Sequence, residues 1–207
     1  MIPASLQAIA DWIVKEPIVF TEHFDDGRIN SSFNENDLVS LLSKQFSGVS
    51  SPPPRYWYDF GYNDGSKFYP VNIKITETNS ADNLNCKLGI FYALTGLDPD
   101  FANETNWNKF FQILKENLSD SPSTDYYFLV VNKYDTSDTW IASLKTIRTL
   151  VSNGNNLPFQ CRWSENRVPI YRSHSDAVDF ILRKFGDSVR KRAQIYIDWQ
   201  SHFPEFT

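Results

Sequence analysis

Residues 56–75, YWYDFGYNDGSKFYPVNIKI, have the pattern of a β-hairpin and decide how the rest of this chain is arranged. Aromatic and β-branched residues lie on both sides of Asp64-Gly65, a dipeptide that suits the positive φ angles of a tight type I′ turn. With these two residues as the loop, Asn63 faces Ser66 and each strand continues outward from that pair. The sequence therefore predicts two antiparallel strands joined by a two-residue turn.

Three polar side chains share one face of this predicted hairpin. Side chains alternate between the two faces of a sheet, and residues directly opposite each other share a face. Asp59 and Asn72 are then diagonal neighbours, and Lys74 follows on the same side. A four-residue loop gives the same faces, whereas a three-residue loop reverses one strand. The opposite face is apolar and belongs in a core, with Val71, Ile73 and Ile75.

An acid, an amide and a lysine on one face allow two interpretations. The first is a Mg²⁺ site, because this ion takes oxygen ligands from one or two side chains and completes its shell with water and phosphate oxygens. A neighbouring lysine then stabilises developing negative charge. The second interpretation is a half-solvated hairpin whose polar face meets water. The spacing alone leaves both open.

Asp59, followed by the triplet Asn72-Ile73-Lys74, resembles the signature of the PD-(D/E)xK nucleases, an aspartate on one strand and an acid-x-lysine triplet on the next. Two positions depart from that signature. Tyr58 replaces the proline before the first acid, and Asn72 replaces the acid of the triplet, which weakens cation binding. The resemblance implies that Asp59 and Asn72 bind Mg²⁺, with Lys74 positioning or activating the attacking water.

Glu35 is our expected source of the missing carboxylate. It falls on the apolar stripe of a helix predicted to run from Ser32 to about Phe46, although a capping box formed by Ser32 and Glu35 explains it equally. Nucleases of this group often supply a remote acid from a helix before the central sheet. Glu77 is the reserve, but it faces away from Lys74 if the strand runs straight.

Two polar loops are candidate DNA readers. The loop after Lys74 is rich in hydroxyl and amide groups that suit contacts to phosphate or bases, although capping of the next helix by Ser80 or Asp82 explains part of it. The second loop, around residues 152–163, offers amides and an arginine that suit base edges, while Asn153-Gly154 suits a turn. The predicted DNA-binding residues are Asn79, Ser80, Asn83, Asn155, Asn156, Gln160 and Arg162.

The stretch from Ser143 to Trp163, taken with the hairpin, resembles one group of type II restriction endonucleases. That resemblance implies an α/β fold with a mixed central β-sheet flanked by helices on both sides. It implies double-stranded DNA as substrate, a homodimer that cuts a palindromic site, and a location in the bacterial cytosol. Two-fold symmetry of the protein is what makes such sites palindromic.

Length and charge fit one domain with two functional parts. The chain has 207 residues and a net charge of −5, 41% hydrophobic residues, and no apolar run long enough to span a membrane. Residues 1–144 hold 10 basic against 19 acidic residues, whereas residues 145–192 hold 10 against 4. We therefore expect a single domain with a catalytic core at about 1–144 and a DNA-recognition loop and C-terminal helix at 145–207. An ordinary basic helix explains the same asymmetry.

Periodicity predicts the remaining elements. Helices are expected at residues 4–16, from about 84 to 95, at 103–118 and from about 175 to 202, and strands at 126–131 and 139–141. The two cysteines and three histidines have no metal-binding spacing.

The sequence favours a Mg²⁺-dependent type II site-specific deoxyribonuclease. A catalytically decayed nuclease fold that only binds DNA, and a module that binds another protein, stay open as alternatives.

Overall fold

The structure, a computed structural model, describes residues 2–16, 18, 20, 27–101, 106–118 and 123–206, and the side chains of these residues other than 27–33. The helices are α1 (Ala4–Lys15), α2 (Gly27–Gln45), α3 (Lys87–Thr95), α4 (Trp107–Glu116) and α5 (His174–His202). The strands are β1 (Val49–Ser50), β2 (Phe60–Asn63), β3 (Phe68–Thr76), β4 (Ala81–Leu84), β5 (Tyr127–Asn132), β6 (Asp135–Ser143), β7 (Val151–Ser152) and β8 (Phe159–Arg162). Short 3₁₀ turns cover Trp163–Asn166 and Pro204–Phe206.

The strands form two sheets. The central sheet has five strands in the order β1-β2-β3-β5-β6, and the second has three in the order β4-β8-β7. Strand β3 is parallel to β5, while the other pairs of the central sheet are antiparallel, so this sheet is mixed. The second sheet is antiparallel throughout. The predicted α/β class with a mixed central sheet is confirmed.

The predicted hairpin exists, but its loop has four residues instead of two. Phe60 pairs with Val71 and Asn63 with Phe68, which leaves residues 64–67 as the connection. Asp64 holds this loop, because its Oδ1 accepts hydrogen bonds from the backbone N–H groups of Ser66 and Lys67. These extra contacts outweigh the preference of an Asp-Gly pair for the shorter turn. The faces are those predicted, but Asp59 comes opposite Asn72 instead of diagonal to it.

Each face of the central sheet packs against its own helices. On one face, side chains including Val71, Ile73 and Leu129 form a core with α1 and α2. On the other, Phe128 and Val130 form a second core with α3, α4, α5 and the second sheet. Burial on both faces explains why β5 has no polar residue before Asn132. Helices therefore flank the central sheet on both sides.

Several predicted elements are confirmed, and their ends differ where long-range contacts intervene. Helix α1 is present and buries Leu6, Ile9, Ala10 and Ile13, and the predicted buried strand at 126–131 corresponds to β5. Helix α3 begins at Lys87 because residues 81–84 form a strand, so capping by Ser80 or Asp82 is wrong. Gly96 ends α3 in the left-handed conformation, with φ of 76°.

Helix α2 corrects the sequence interpretation. Helix α2 begins at Gly27, so Ser32 lies inside it and the predicted capping box with Glu35 is wrong. Helix α5 runs without a break through Gly186. In the described part of the chain, no helix combines the length and the apolar character that crossing a membrane requires.

Candidate functional site

Asp59 lies at the start of β2, directly across the hairpin from Asn72. Its Oδ2 accepts a hydrogen bond of 2.7 Å from Asn72 Nδ2 and another of 2.6 Å from the backbone N–H of Ile73. The strand register fixes this arrangement. Because Phe60 pairs with Val71 in antiparallel strands, Asp59 comes opposite Asn72. The carboxylate is thus held by two donors on one of its oxygens.

The other oxygen of Asp59 has no hydrogen-bond partner among the described residues. The same holds for the side-chain oxygen of Asn72, because its amide nitrogen is the atom that faces Asp59. Burial raises the pKa of Asp59, while the N–H of Ile73 and the charge of Lys74 act in the opposite direction. Two oxygen acceptors therefore remain open beside a partly desolvated carboxylate.

Lys74 lies on the same face, two residues beyond Asn72. Its Nζ donates a hydrogen bond of 3.3 Å to the backbone oxygen of Asn83 on β4. The face is apolar around it, since Val130 is the neighbouring residue on β5 and is buried. An ammonium group in such surroundings keeps a strong field at short range. The structure brings Asp59, Asn72 and Lys74 together.

Glu35 and Asp59 line one cavity of about 240 Å³ between α2 and the proline segment at 52–54. Glu35 is half-buried and lies within α2. Among the described residues, Asn72 and Lys74 are not part of the lining. The cavity therefore joins two carboxylates from separate elements.

Arg55 borders the same cavity and was not singled out by the sequence. Its φ of 63° places it in the left-handed region, which residues other than glycine seldom adopt. Such conformations cluster at functional sites. The three prolines that precede it restrict the chain there, but no local pattern predicts that the arginine after them takes a left-handed conformation at the wall of this cavity.

A network of amides connects Lys74 to the second sheet. Asn83 pairs with Gln160 across β4 and β8, and Gln160 Nε2 donates to Asn83 Oδ1 over 2.8 Å. Asn153 Nδ2 approaches the same oxygen at 3.4 Å. Because Lys74 donates to the backbone of Asn83, the candidate catalytic and reading residues share one hydrogen-bonded unit.

The other predicted reading residues lie around this unit and are exposed. Asn79 and Ser80 precede β4, and Asn155 and Asn156 lie in the loop between β7 and β8. The turn chemistry assigned to Asn153 is confirmed, because its Oδ1 accepts from the N–H groups of both residues of that loop. Arg162, also exposed, forms a 3.5 Å ion pair with Glu165.

Asp82 and Glu77 do not line the cavity that Glu35 and Asp59 share. Asp82 accepts a hydrogen bond of 2.7 Å from Trp163 Nε1, so it fixes a buried tryptophan. Glu77 is exposed just after the end of β3 and, by strand alternation, faces away from Lys74.

The donor set around Asp59 fits a hard cation. Its atoms are oxygens of a carboxylate, an amide and, across the cavity, a second carboxylate, the ligand types that Mg²⁺ takes with water and phosphate. Within the described chain, no three His, Cys, Asp or Glu side chains form a metal cluster. A site here would therefore depend on neutral oxygens as well as on charge.

No protein-family model matches the chain, and no curated protein matches it.

Proposed function

We propose that this protein is a Mg²⁺-dependent endonuclease that hydrolyses double-stranded DNA at a short specific sequence, with the fold and the dimeric state of type II restriction enzymes. The observation that carries the proposal is the Asp59 carboxylate, held by Asn72 and the Ile73 N–H beside Lys74, with one oxygen left open. The hydrogen bond from Lys74 to the backbone oxygen of Asn83 connects this group of residues to an amide cluster, and that connection supports a link to sequence recognition.

Each residue has a distinct part in the proposed reaction. Asp59, the Asn72 side-chain oxygen and Glu35 hold the ion, which when bound supplies positive charge at the scissile phosphate and acidifies water. Lys74 orients the attacking water and stabilises the charge that develops on the phosphate. Arg55, at the mouth of the cavity, holds a neighbouring phosphate oxygen.

The hydrogen bond from Asn72 to Asp59 suits a neutral residue at this position. An acid there would place two carboxylates against each other and raise the pKa of one of them. The amide instead donates to Asp59 and keeps its own oxygen available. Asn72 is therefore compatible with catalysis, at the cost of one negative charge in the ion site.

The amide cluster gives the proposed enzyme its means of reading bases. Asn and Gln side chains pair bidentately with adenine, and Arg pairs with guanine in the major groove. Gln160 and Asn83 occupy adjacent strands, and Asn155, Asn156 and Arg162 are exposed nearby in the sequence. The basic segment at 145–192 supplies the electrostatic attraction to the DNA backbone.

Incubation of the protein with long DNA of mixed sequence and Mg²⁺ tests the proposal. Discrete fragments with one common end sequence are expected, and sequencing of the ends gives the site and the position of the cut. Asp59→Ala and chelation of Mg²⁺ are the matched controls, and both must remove the fragments. A gel shift without cutting would favour a DNA-binding protein that has lost its chemistry. Neither cutting nor binding would favour a protein-interaction module.

A further inference from the structure

Beyond Arg192, which donates hydrogen bonds to backbone oxygens of the loop between β7 and β8, the C-terminal part of α5 extends past the body of the protein. Every residue from 190 to 199 is exposed, and the aromatic side chains there are uncovered, with Tyr196 57% and Phe203 46% exposed. The first half of the same helix buries Ala177, Ile181 and Phe185. A helix that ends in water does not need large aromatic side chains, so this arm has an apolar surface without a partner among the described residues.

One face of the arm has the spacing of a coiled-coil seam. Successive residues of this seam are alternately three and four positions apart, a spacing that keeps them on one side of a helix. Small or polar residues alternate there with large ones: Gly186, Val189, Ala193, Tyr196, Gln200 and Phe203. In an antiparallel pair, such a seam places each small residue of one helix against a large residue of the other.

A pocket lies at the start of this seam. Its volume is about 310 Å³, and Phe111, Leu114, Leu182, Phe185 and Val189 line it around Gly186. A Cβ atom on Gly186 would meet no atom within 4 Å, so the glycine opens the floor of the pocket. Glycine is a poor residue in the interior of a helix, and α5 is nevertheless continuous across it. The absence of a side chain at Gly186 therefore keeps the pocket open.

We propose that the distal half of α5 is a self-association surface on which a second copy of this chain binds antiparallel. In this arrangement Phe203 of the second copy fills the pocket at Gly186, and Ala193 of each copy lies against Tyr196 of the other. The contact is isologous, so the same pocket and the same phenylalanine are used twice. A single register satisfies both pairings.

Charge along the arm supports the antiparallel direction. Residues 190–192 are all basic, and Asp198 and Glu205 lie further along. A parallel pair in register would place the two basic segments side by side. The antiparallel register places residues 190–192 alongside the turn that carries Asp198, and Lys184 alongside Glu205. Opposite charges then lie near each other at both ends of the overlap.

The mass of the DNA-free protein in solution, measured by sedimentation equilibrium, is the first test. We expect a dimer for the native chain. Gly186→Leu fills the pocket and should weaken the dimer about tenfold or more, since the isologous contact loses the buried position of an aromatic anchor twice. Leucine is a better helix former than glycine, so unfolding would not explain the loss. Ile195→Ala, on another face of the exposed arm, is the control and should leave the mass unchanged.

Single cysteines test the direction of pairing, because Cys86 and Cys161 are buried and do not compete. In the proposed register the two copies of residue 193 are offset by about 5 Å along the axis, whereas those of residue 200 are about 17 Å apart. Residue 193 of one copy lies against residue 196 of the other, so oxidation of a mixture of Ala193→Cys and Tyr196→Cys chains should cross-link the two variants to each other, whereas Gln200→Cys alone should not cross-link. Cross-linking at position 200 instead would show a parallel pair and overturn the proposal.

A native chain that stays monomeric without DNA would also overturn it. If the arm variants then weakened binding to a DNA duplex, the surface would belong to nucleic acid. These measurements need no cleavage activity. A monomeric chain would therefore remove the dimeric state from the proposed function but leave the proposed cleavage chemistry at Asp59 intact, and a dimer without cleavage would leave the self-association proposal intact.

Discussion

Asp59 and Asp125 are both half-buried carboxylates near a lysine, and burial raises the pKa of each. They border cavities of similar size, about 240 Å³ and about 210 Å³. They differ in the number of carboxylate oxygens that accept hydrogen bonds. Asp125 uses both oxygens, since Oδ1 accepts from the N–H groups of Tyr126 and Lys145 and Oδ2 accepts from the Ser143 hydroxyl. Asp59 uses only Oδ2.

This difference separates a structural acid from a candidate catalytic one. Burial shifts the pKa of both groups, so the shift by itself does not distinguish them. A carboxylate whose two oxygens both accept hydrogen bonds from the protein stabilises the fold and offers a ligand fewer acceptor positions. A carboxylate with one free oxygen at a cavity wall remains available for a cation. Removing each acid in turn should therefore affect different properties of the protein.

The largest expected effect is on DNA cleavage. Asp59→Ala should reduce the Mg²⁺-dependent rate to background, because the ion loses its main charged ligand. Asp125→Ala should leave the rate per folded molecule nearly unchanged. Initial rates on a DNA that carries the site, normalised to the folded fraction by circular dichroism, make the comparison. Equal losses in the two variants would remove the distinction between them.

Replacement of Lys74 should likewise reduce the cleavage rate more than replacement of Lys145. Lys74→Ala should slow cleavage about 10²- to 10³-fold, the usual effect of removing one group that stabilises transition-state charge. Binding to the same DNA in Ca²⁺ should stay nearly intact. Lys145, whose Nζ donates to the Thr124 oxygen over 2.6 Å, has a structural role, so Lys145→Ala should keep the rate. A parallel loss of binding in Lys74→Ala would make Lys74 a phosphate contact.

The free energy of unfolding should fall more in Asp125→Ala than in Asp59→Ala, which is the reverse of the order expected for the cleavage rate. Asp125→Ala leaves two backbone N–H groups and the Ser143 hydroxyl without their acceptor, which costs about 2–4 kcal/mol of unfolding free energy. Asp59→Ala should cost less, because its cavity admits water to the freed donors. Urea denaturation of both variants without Mg²⁺ measures this. A larger loss for Asp59→Ala would indicate that Asp59 is the structural acid.

The pH dependence of stability gives a smaller effect with a definite sign. Because the folded pKa of Asp59 is raised, the carboxyl binds a proton more tightly in the folded chain, and stability is lost as the pH rises from the unfolded pKa through the folded one. Asp59→Asn removes this loss and should raise the melting temperature at neutral pH, but not at a pH below both pKa values. Added Mg²⁺ should stabilise the native chain and not this variant.

The sequence predicts local features of the site well and distant ones poorly. Strand alternation places Asp59, Asn72 and Lys74 on one face even though the predicted loop is two residues too short, because the added residues keep the parity. The pairing of Asn83 with Gln160 is not predictable in this way. It joins segments 77 residues apart, and the local pattern around 81–84 is compatible with a loop.

The start of α2 also shows that local sequence patterns do not determine features set by the whole fold. Ser32 and Glu35 have the spacing of a capping box, but the helix begins at Gly27, and local spacing alone does not determine which of several starts is used. The position of Glu35 beside Asp59 depends on how α2 packs on the central sheet. That packing comes from Leu38 and Leu42 in the core, so it is a property of the whole fold.

Asn72→Asp tests the finest part of the comparison, the choice of an amide beside the open oxygen of Asp59. A second acid adds negative charge to the ion site, so the Mg²⁺ concentration for half-maximal rate should fall roughly tenfold, or about 1.4 kcal/mol. Without the ion, the variant loses the hydrogen bond to Asp59 and sets two carboxylates together, so it should be less stable than the native chain.

The two measurements should therefore change in opposite directions, which a simple packing defect would not produce. Asn72→Ala is the control for losing the hydrogen bond without adding charge, and it should raise the Mg²⁺ requirement. If Asn72→Asp raised that requirement as well, the amide would be needed as the donor that orients Asp59, and its own oxygen would not be a ligand.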